Sequence, residues 1–548
     1  MSESASQNLA SPYILFFHSM KRRDFLTGLG SAAIGLPLVL DGFTTRAFAE
    51  SPTLKHVAML AAAQDRVLVL IQLSGGNDGI NTLIPLDQLS DYYRLRQAVA
   101  IPQNRIVKLN DATGLHPTFA PIKSLFDDGN LTIVNGVSYP TVNQSHFRST
   151  DIWFTASDSE QYLSSGWLGR FVNYEAPTYP TGYPNDKTPD PLAIEIGGAM
   201  SLTLQGNTNA TGITIRDLSA FEQLVGGGVV TGGSVAQRTG KAGARIDFIR
   251  EVQAQSQKYS SRIRSVADKG RNKAQYPDKG KNPLADQLQI VARLIAGGLQ
   301  TRVYVVNLGG FDTHWSQAEP SDVTTGIHAN LLSYLAEGTK TFQQDLKLLG
   351  LENKVLGMTI SEFGRRPATS SLGTDHGTAG PMFLFGAPVK GGIIGKNPSL
   401  TDLLPDGNLK MQYDFRQLYT SVLSQWFQAD TQHLNTVMMK SFEQLPLLTT
   451  TSVRDEQAQA TATSMTIRNY PNPCAGATRI EYHLPQSGTV HLTLHDMLGR
   501  EIATVAQGYQ AEGAQSVEFD ASHLAQGAYF YRLQTEQGMT SGQMNVVR

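Results

Sequence analysis

Between about Asp65 and Leu445, the sequence alternates continuous apolar runs with longer stretches in which apolar residues recur at helical spacing. Continuous apolar runs are typical of strands that a sheet buries on both faces. Three such runs are RVLVLIQLSGG, NLTIVNGVSY and PLAIEIGG, which begin at Arg66, Asn130 and Pro191. The alternation predicts an α/β domain in three layers, with a mostly parallel sheet between helices.

Two helices and a loop are predicted before the polar motifs in the middle of the chain. Ala244 to Ala267 has the pattern of a polar amphipathic helix, and Pro283 to Leu299 that of a helix packed on the sheet. A strand from Arg302 to Leu308 follows directly. The Gly-, Thr- and Ser-rich piece from Val225 to Gly243 is predicted to be a loop or lid.

The pattern changes after Leu448. Residues 449–466 are rich in Thr, Ala, Gln and Ser, which predicts a linker. From residue 467 to 548, apolar and polar residues alternate in short runs separated by Gly, Pro and Asn. This alternation predicts a small all-β, immunoglobulin-like sandwich, and it leaves residues 64–445 as the main domain.

Composition narrows the possible functions. The net charge is −2 and basic residues form no stripe with interleaved aromatics, so nucleic acid is not an expected partner. Cys474 is the single cysteine, which excludes an internal disulfide and a Cys-rich zinc cluster. A metal would therefore be bound by carboxylates, histidines and hydroxyls.

The first 50 residues have the features of an export signal. Lys21, Arg22 and Arg23 precede an apolar stretch that reaches Leu40, and the small residues of Ala47-Phe48-Ala49 suit cleavage after Ala49. The pattern resembles a twin-arginine signal, with Met20 as the expected start. The apolar stretch is short and Gly-rich, so no stable membrane span is expected, although an uncleaved anchor is the alternative.

Acidic and histidine residues follow two predicted strands near the middle of the chain. Asp312 and His314 come directly after VYVVNLGGF, and Glu362 comes directly after VLGMTIS. Asp375 and His376 precede the strand PMFLFG. Ligand-binding groups in α/β sheets collect at the carboxyl ends of strands, and alternation in an extended segment would point Asp312 and His314 the same way. These residues are predicted metal ligands.

Four further positions allow both a functional and a structural interpretation. Asp78 lies on the glycine-rich turn after the first strand and could bind the metal, although Asn-Asp-Gly is more often simply a turn. Ser145 could cap a helix, or act as a nucleophile where helix amides stabilise an anion. Arg365 and Arg366 could clamp a tetrahedral oxyanion or form structural ion pairs.

Four histidines outside the metal-ligand motifs are interpreted in two ways. His146 could be a ligand, a base or a core histidine, and the sequence leaves these three roles open. His116, His328 and His433 lack acidic neighbours of note and are interpreted as structural.

The motifs SGGNDG, SHF, GGFDTH, SEFGR, TDHG and GGIIG together resemble the exported domain-of-unknown-function family 1501 of the alkaline phosphatase and sulfatase superfamily, over about residues 64–440. The resemblance implies an alkaline phosphatase-like fold with two metal positions flanking a nucleophile. It implies Ser145 as nucleophile, Asp312, His314 and His376 at one metal position, and Glu362 at the other. Asp78 matches the acid after the first strand.

The sequence also departs from the superfamily pattern. One residue separates acid and histidine in DTH, where the gap is usually wider, and Phe363 stands where an Asp-His pair normally supplies a ligand. The number of ions is therefore open, with Asp375 or His146 able to compensate. Ser145 lacks the following Pro and Arg of sulfatases, so no formylglycine chemistry is assigned.

Over the last eighty or so residues, the order NYPNP, strand, LHDMLGRE, GAYFYRLQT and a terminal basic residue resembles the C-terminal sorting domain of the type IX secretion system. The resemblance implies passage across an outer membrane, followed by removal of the tail or attachment to surface polysaccharide. A plain adhesion module is the alternative.

The favoured function is an exported hydrolase, secreted or attached to the cell surface, that uses one or two divalent ions to cleave phosphate or sulfate esters of a small molecule or polysaccharide. Its catalytic candidates are Ser145, His146, Arg365 and Arg366, and zinc, calcium, magnesium and manganese are equally allowed. Expected partners are the ester substrate and the export and type IX machinery. The alternative is a surface binding or scaffold protein that keeps the fold without turnover.

Overall fold

The structure is a computed structural model that describes residues 39–40, 43–44, 65–216, 241–449, 465–496, 500–535 and 538–547. The predicted linker lies outside the described residues except at its ends, and so does the predicted signal region apart from two short paired strands, Val39–Leu40 and Phe43–Thr44. The chain divides into two compact units, Met1–Thr449 and Thr450–Arg548.

The first unit is built around a nine-stranded sheet. Its strands are β1 (Val67–Ser74), β2 (Leu131–Ser138), β3 (Ala193–Ile196), β4 (Ile213–Ile215), β5 (Val303–Gly309), β6 (Val355–Ile360), β7 (Gly380–Phe385), β8 (Gly392–Ile394) and β9 (Tyr413–Asp414). They lie in the order β8-β2-β7-β6-β1-β5-β3-β4, and β9 pairs with β2. All pairings are parallel except the two made by β7. The prediction of a mostly parallel sheet is confirmed.

Ten α-helices are described in this unit. They are α1 (Gly79–Thr82), α2 (Leu89–Leu95), α3 (Lys123–Asp127), α4 (His146–Thr155), α5 (Trp167–Glu175), α6 (Lys241–Lys269), α7 (Pro283–Ala296), α8 (Ile327–Leu349), α9 (Phe415–Ser421) and α10 (Thr431–Met438). A π-helical turn, Val422–Trp426, continues α9. The strands Leu83–Pro85, Val107–Lys108 and Thr113–Leu115 form a separate small sheet.

The two predicted helices are present with shifted ends. The helix expected over Ala244 to Ala267 runs from Lys241 to Lys269, so the last three residues of the predicted loop are helical. The rest of that loop, up to residue 240, lies outside the described residues. The helix that begins at Pro283 ends at Ala296, because Gly297 caps its carboxyl end.

Both faces of the sheet are covered. Along β1, Val67, Val69 and Ile71 belong to one apolar core, whereas Leu68 and Leu70 belong to another on the opposite face. Side chains alternate across a strand, so a strand apolar at every position needs helices on both sides. The three-layer prediction is confirmed.

The neighbouring parallel strands β5, β1 and β6 end at the same edge of the sheet. The turn after β1 passes very close to the segment after β5: a Cβ on Gly75, whose φ is +119°, would lie 2.3 Å from the backbone nitrogen of Asp312. Only glycine fits this approach without strain. The edge gathers the polar motifs that follow these strands.

The second unit consists of two antiparallel sheets. Its strands are β10 (Thr466–Tyr470), β11 (Ala477–Leu484), β12 (Gly488–His495), β13 (Glu501–Gln510), β14 (Gly513–Asp520), β15 (Gly527–Thr535) and β16 (Gly538–Val546). The sheet orders are β10-β11-β14 and β13-β12-β15-β16. Residues of both sheets, including Ile480 and Leu492, share one buried core, which makes the unit a sandwich. The all-β prediction is confirmed.

Cys474 is a buried free thiol in that core. Among the described residues, no helix has both the length and the apolar composition needed to cross a membrane.

Candidate metal centre

Four loops or helix ends supply the side chains at this edge of the sheet. Asp312 and His314 lie on the segment after β5, Glu362 lies after β6, and His376 lies just before β7. His146 is the first residue of α4. A Cβ on Gly373 would lie 2.0 Å from the carbonyl oxygen of His314, so the two histidine-bearing loops are in close backbone contact.

Asp312 is the centre of the cluster. Its Oδ1 lies 3.0 Å from Nε2 of His314 and 3.3 Å from Nε2 of His376, and those two nitrogens are 3.0 Å apart. Its Oδ2 lies 3.3 Å from Nε2 of His146. The predicted convergence of Asp312, His314 and His376 is therefore observed, and His146 joins them.

Each of the three histidines has a hydrogen-bond acceptor at Nδ1, the ring nitrogen that does not face Asp312. The partners are Oε1 of Glu362 for His146 at 2.8 Å, the carbonyl oxygen of Gln144 for His376 at 2.8 Å, and Oδ1 of Asp375 for His314 at 3.2 Å. Carbonyl and carboxylate oxygens only accept, which assigns the proton of each neutral ring to Nδ1. All three Nε2 lone pairs then face Asp312.

The charges around Asp312 favour its ionised form. Burial raises the pKa of Asp312, but the hydrogen bond and the positive charge of Arg365 outweigh it, so this pKa falls to about 2. The hydrogen bond to Glu362 raises the pKa of His146, whereas burial lowers that of His376. The cluster thus offers one carboxylate among three imidazoles.

This donor set fits a metal ion. Ligand atoms about 2.0 to 2.2 Å from a tetrahedral ion lie about 3.3 Å apart, close to the separations around Asp312. The buried Nε2 of His146 has no hydrogen-bond partner within the described part of the chain. His146, Asp312 and His376 can place one ligand atom each within 4.8 Å of one another. An ion would satisfy the orphaned nitrogen.

Two of the predicted ligands, Glu362 and Asp375, contact histidines of the cluster rather than Asp312. Glu362 is buried, and its Oε1 accepts from the backbone N–H of Gly75 at 2.8 Å as well as from His146. Asp375 is largely exposed and contacts His314 alone among the three histidines. Both carboxylates contact the Nδ1 atom of a histidine, and a carboxylate in this position orients the ring and raises its basicity.

Asp78 does not join the cluster. Its buried carboxylate forms an ion pair with Arg96, accepts from Nε2 of Gln317 at 2.5 Å and caps α1. Burial raises the pKa of Asp78, but the charges of Arg96 and His328 outweigh it and lower the pKa. The Asn-Asp-Gly turn is therefore part of a buried polar network.

The two arginines proposed to clamp an oxyanion differ in how fully their side chains are bonded. Arg365 is buried, and besides Asp312 its guanidinium donates to four backbone carbonyls, those of Gly75, Gly76, Phe311 and Thr374. Arg366 donates to the carbonyl of Asp406 at 3.0 Å. Arg365 positions Asp312 and ties three loops together.

Ser145 is the N-cap residue of α4, but its hydroxyl makes no capping hydrogen bond. It lies between Gln144, whose carbonyl holds His376, and His146. Phe363 is buried, with its ring centroid 4.9 Å from that of His146 and 4.6 Å from that of His376. This ring packs against the cluster beside Glu362.

The three histidines interpreted as structural, His116, His328 and His433, are buried. His328 lies 3.1 Å from Oδ1 of Asn77, and the His116 and His328 rings are 6.1 Å apart. His433 stacks on Tyr174, with ring centroids 3.9 Å apart. Burial lowers the pKa of His116 to about 3 and those of His328 and His433 to about 4. Their structural interpretation agrees with these contacts.

Sequence reasoning missed two features of the site. The carbonyl of Gln144 has no side-chain signature. The second is the role of His146. The sequence does not show that α4 begins beside the end of β6, where His146 meets Glu362.

Residues 247–438 match the family described as protein of unknown function DUF1501, and residues 468–547 match the family described as secretion system C-terminal sorting domain. No curated protein matches the chain.

Similar solved structures include a protein in the alkaline phosphatase superfamily from Vibrio parahaemolyticus, at 10% identity over 86% of each chain and a TM-score of 0.32. The PsFucS1 sulfatase from Pseudoalteromonas sp. is similar at 10% identity over 87% of this chain and 90% of that one, with a TM-score of 0.30. Dimeric latent PorU from Porphyromonas gingivalis shares 18% identity over 15% of this chain and 9% of its own, with a TM-score of 0.14. The two family matches show that the chain contains a DUF1501 domain and a C-terminal secretion-system sorting domain.

Proposed function

We propose that the main domain is a metal-dependent hydrolase of phosphate or sulfate esters, and that His146, Asp312, His314 and His376 bind one divalent ion. The observation that carries the proposal is the convergence of three Nε2 atoms on Asp312 while an acceptor holds each Nδ1. Histidines that bind metals in proteins are usually oriented in this way.

The donor set narrows the choice of ion. Imidazole nitrogens suit zinc, iron, copper and nickel, whereas magnesium and calcium prefer sets made of oxygen atoms. One ion is favoured over two, because Asp78 is paired with Arg96 and Oε1 of Glu362 is bonded to Gly75 and His146. Of the Glu362 carboxylate, Oε2 alone has no hydrogen-bond partner among the described residues. When bound, the ion would supply Lewis acidity toward an ester oxygen.

Ser145 is the proposed nucleophile. It precedes His146 at the start of a ten-residue helix, where backbone N–H groups and the helix dipole stabilise negative charge on an attacking oxygen. Its hydroxyl makes no capping hydrogen bond, so capping does not occupy this oxygen.

A second candidate function is a surface protein that binds a ligand without turnover. The engagement of Arg365 favours it, because a buried guanidinium that donates to backbone carbonyls and to Asp312 is not available to a departing oxyanion. The sorting domain implies secretion and association with the cell surface or outer membrane under either function. Passage of the inner membrane by the twin-arginine route is part of the proposal.

The test combines metal analysis with turnover by the purified full chain. Elemental analysis should find about one transition-metal ion per chain, and 4-nitrophenyl phosphate or 4-nitrophenyl sulfate should be hydrolysed in a chelator-sensitive way. Bound metal without turnover of either ester would support the binding protein. Turnover that survives complete metal removal would overturn the metal-dependent mechanism.

A further inference from the structure

Gln317 is a buried side chain that joins two loops of the candidate metal centre. It is 2% exposed, and its Oε1 accepts from the hydroxyls of Thr313 at 3.1 Å and Thr374 at 2.6 Å. Thr313 directly follows the proposed ligand Asp312, and Thr374 lies two residues before the proposed ligand His376. One amide oxygen therefore holds a residue close to a ligand on each of the two loops.

The other end of the Gln317 amide is anchored on a buried ion pair. Its Nε2 donates to Oδ2 of Asp78 at 2.5 Å, and Asp78 is paired with Arg96. Both side chains of this pair are fully buried. Arg96 also donates to the backbone carbonyls of Arg366 at 3.0 Å and Pro367 at 3.3 Å, in the loop between β6 and β7. The ion pair therefore fixes Gln317 relative to the turn after β1.

The chemistry of the partners fixes the orientation of the amide. A carboxylate only accepts hydrogen bonds, so Asp78 must receive the NH2 group of Gln317, and Oε1 must face the two threonines. Both threonine hydroxyls then donate to this one oxygen. Burying such polar groups costs free energy unless they are paired. The three hydrogen bonds form together only when the two loops lie in this arrangement.

The two threonines are placed to transmit this restraint to the ligands. Asp312 and His314 face the cluster. The side chain of Thr313, which lies between them, points instead to Gln317, so a rotation of the chain at Thr313 would move both ligands. The backbone N–H of Thr374 donates to the carbonyl of Thr313 at 3.1 Å, which keeps the two residues side by side where the loops meet.

The ligand geometry depends on how these loops are aligned. Nε2 of His376 lies 3.3 Å from Oδ1 of Asp312 and 3.0 Å from Nε2 of His314, and both distances join one loop to the other. Ligand groups must be held within about 0.5 Å of their productive geometry by packing and by hydrogen bonds from residues around them. Gln317 supplies hydrogen bonds of this kind to both loops at once.

We propose that Gln317 is a positioning residue of the metal centre. Anchored on Asp78, its amide holds the loop after β5 against the loop before β7. It thereby sets the distances among Asp312, His314 and His376 that the ion requires. This role rests on the metal binding of the proposed function and requires no particular substrate. It also gives Asp78 an indirect role at the centre, without contact with the ion.

The test measures the Zn²⁺ affinity of the metal-free full chain by titration calorimetry, and the visible spectrum of the Co²⁺-loaded chain, which reports the geometry of the ligands. Thr374→Val removes the hydroxyl with little change of shape, so it should weaken Zn²⁺ binding about tenfold and alter the Co²⁺ spectrum. Thr374→Ser keeps the donor and should restore both. Gln317→Met removes the whole amide and should have the larger effect.

Thr301→Val is the matched control. Thr301 is buried, and its hydroxyl donates to the carbonyl of Pro191 at 2.6 Å, the same length as the bond from Thr374 to Gln317. It lies before β5, whereas Asp312 follows that strand. Thr301→Val should therefore lose stability in urea as Thr374→Val does, but it should leave the Zn²⁺ affinity and the Co²⁺ spectrum unchanged.

The outcomes separate this role from the proposed function. Wild-type affinity and spectrum in Thr374→Val would overturn the positioning role and leave the metal centre standing. An equal loss of affinity in Thr301→Val would also overturn it, because the effect would then follow from general stability. A wild type that binds neither Zn²⁺ nor Co²⁺ would overturn the metal centre and this role with it. Ester turnover enters none of these results.

Discussion

The Nε2 atoms of His314 and His376 lie 3.0 Å apart, although 62 positions separate these residues in the chain. Both rings have an acceptor at Nδ1, so the two Nε2 lone pairs face each other and Oδ1 of Asp312. Lone pairs at this distance repel each other unless a proton or a metal ion lies between them. The two nitrogen atoms are therefore arranged to bind a cation.

His376→Ala should abolish metal binding. It removes one of the four proposed ligands. Loss of a residue that only hydrogen-bonds to a ligand weakens metal affinity about 10- to 100-fold, and loss of a ligand should weaken it more. His523→Ala is the control, because this histidine is exposed in the sorting domain. Titration calorimetry with Zn²⁺ on the apo protein measures both. Equal affinity of the two variants would exclude His376 as a ligand.

Glu362→Gln should weaken metal binding about tenfold while preserving the fold. The amide keeps an acceptor for Nδ1 of His146, but it removes the negative charge that makes the ring a better ligand. Asp375→Asn should have a smaller effect, since the Asp375 carboxylate is 76% exposed and solvent screens its charge. The same calorimetric titration ranks the two variants, and the reverse order would contradict the assignment.

Ser145→Ala should abolish hydrolysis of 4-nitrophenyl esters and leave the metal content unchanged, because the hydroxyl is the proposed nucleophile rather than a ligand. Ser522→Ala, an exposed serine of the sorting domain, is the control. Initial rates and elemental analysis are measured on the same preparations. Full activity in Ser145→Ala would identify a water molecule as the nucleophile.

Arg365→Gln should lower the free energy of unfolding by about 3 kcal/mol or more, because it leaves buried carbonyl oxygens and Asp312 without their donor. Arg366→Gln should change it by about 0.5 kcal/mol or less, because that side chain makes one exposed contact, to the Asp406 carbonyl. Urea denaturation measures both. A small effect at Arg365 would show that the loops do not depend on it.

Acid should destabilise the main domain through His116 and His328. Burial lowers their pKa values to about 3 and about 4, whereas the unfolded chain has ordinary values near 6.5. The unfolded state therefore binds more protons below pH 6.5, so stability is full above that pH and declines as the pH falls toward 4. Urea denaturation at pH 7 and pH 5 should show the loss, and His328→Gln should reduce its pH dependence.

A flat pH profile in the wild type between pH 7 and pH 5 would contradict this prediction. His523→Ala again provides the control, because an exposed histidine should not alter the profile.

The hydrophobic pattern alone determined the layered architecture. Strand β1 is apolar at every position from Val67 to Ile71, which requires cover on both faces, and the alternating pattern after residue 467 requires a sheet with one face buried. The sequence also placed Asp312, His314 and His376 next to strand ends, where parallel strands bring loops together. These conclusions depend on local periodicity, which a single sequence displays directly.

Tertiary structure decided which polar residues meet. Asp78 and Glu362 both follow parallel strands, yet Arg96 draws one into a buried ion pair and His146 engages the other. Arg365 donates hydrogen bonds to backbone carbonyls of three loops, and no local sequence pattern predicts these contacts. The reversed direction of β7 is likewise set by its neighbours β6 and β2. Such pairings depend on residues far apart in the chain, and their energies exist only after the loops have packed.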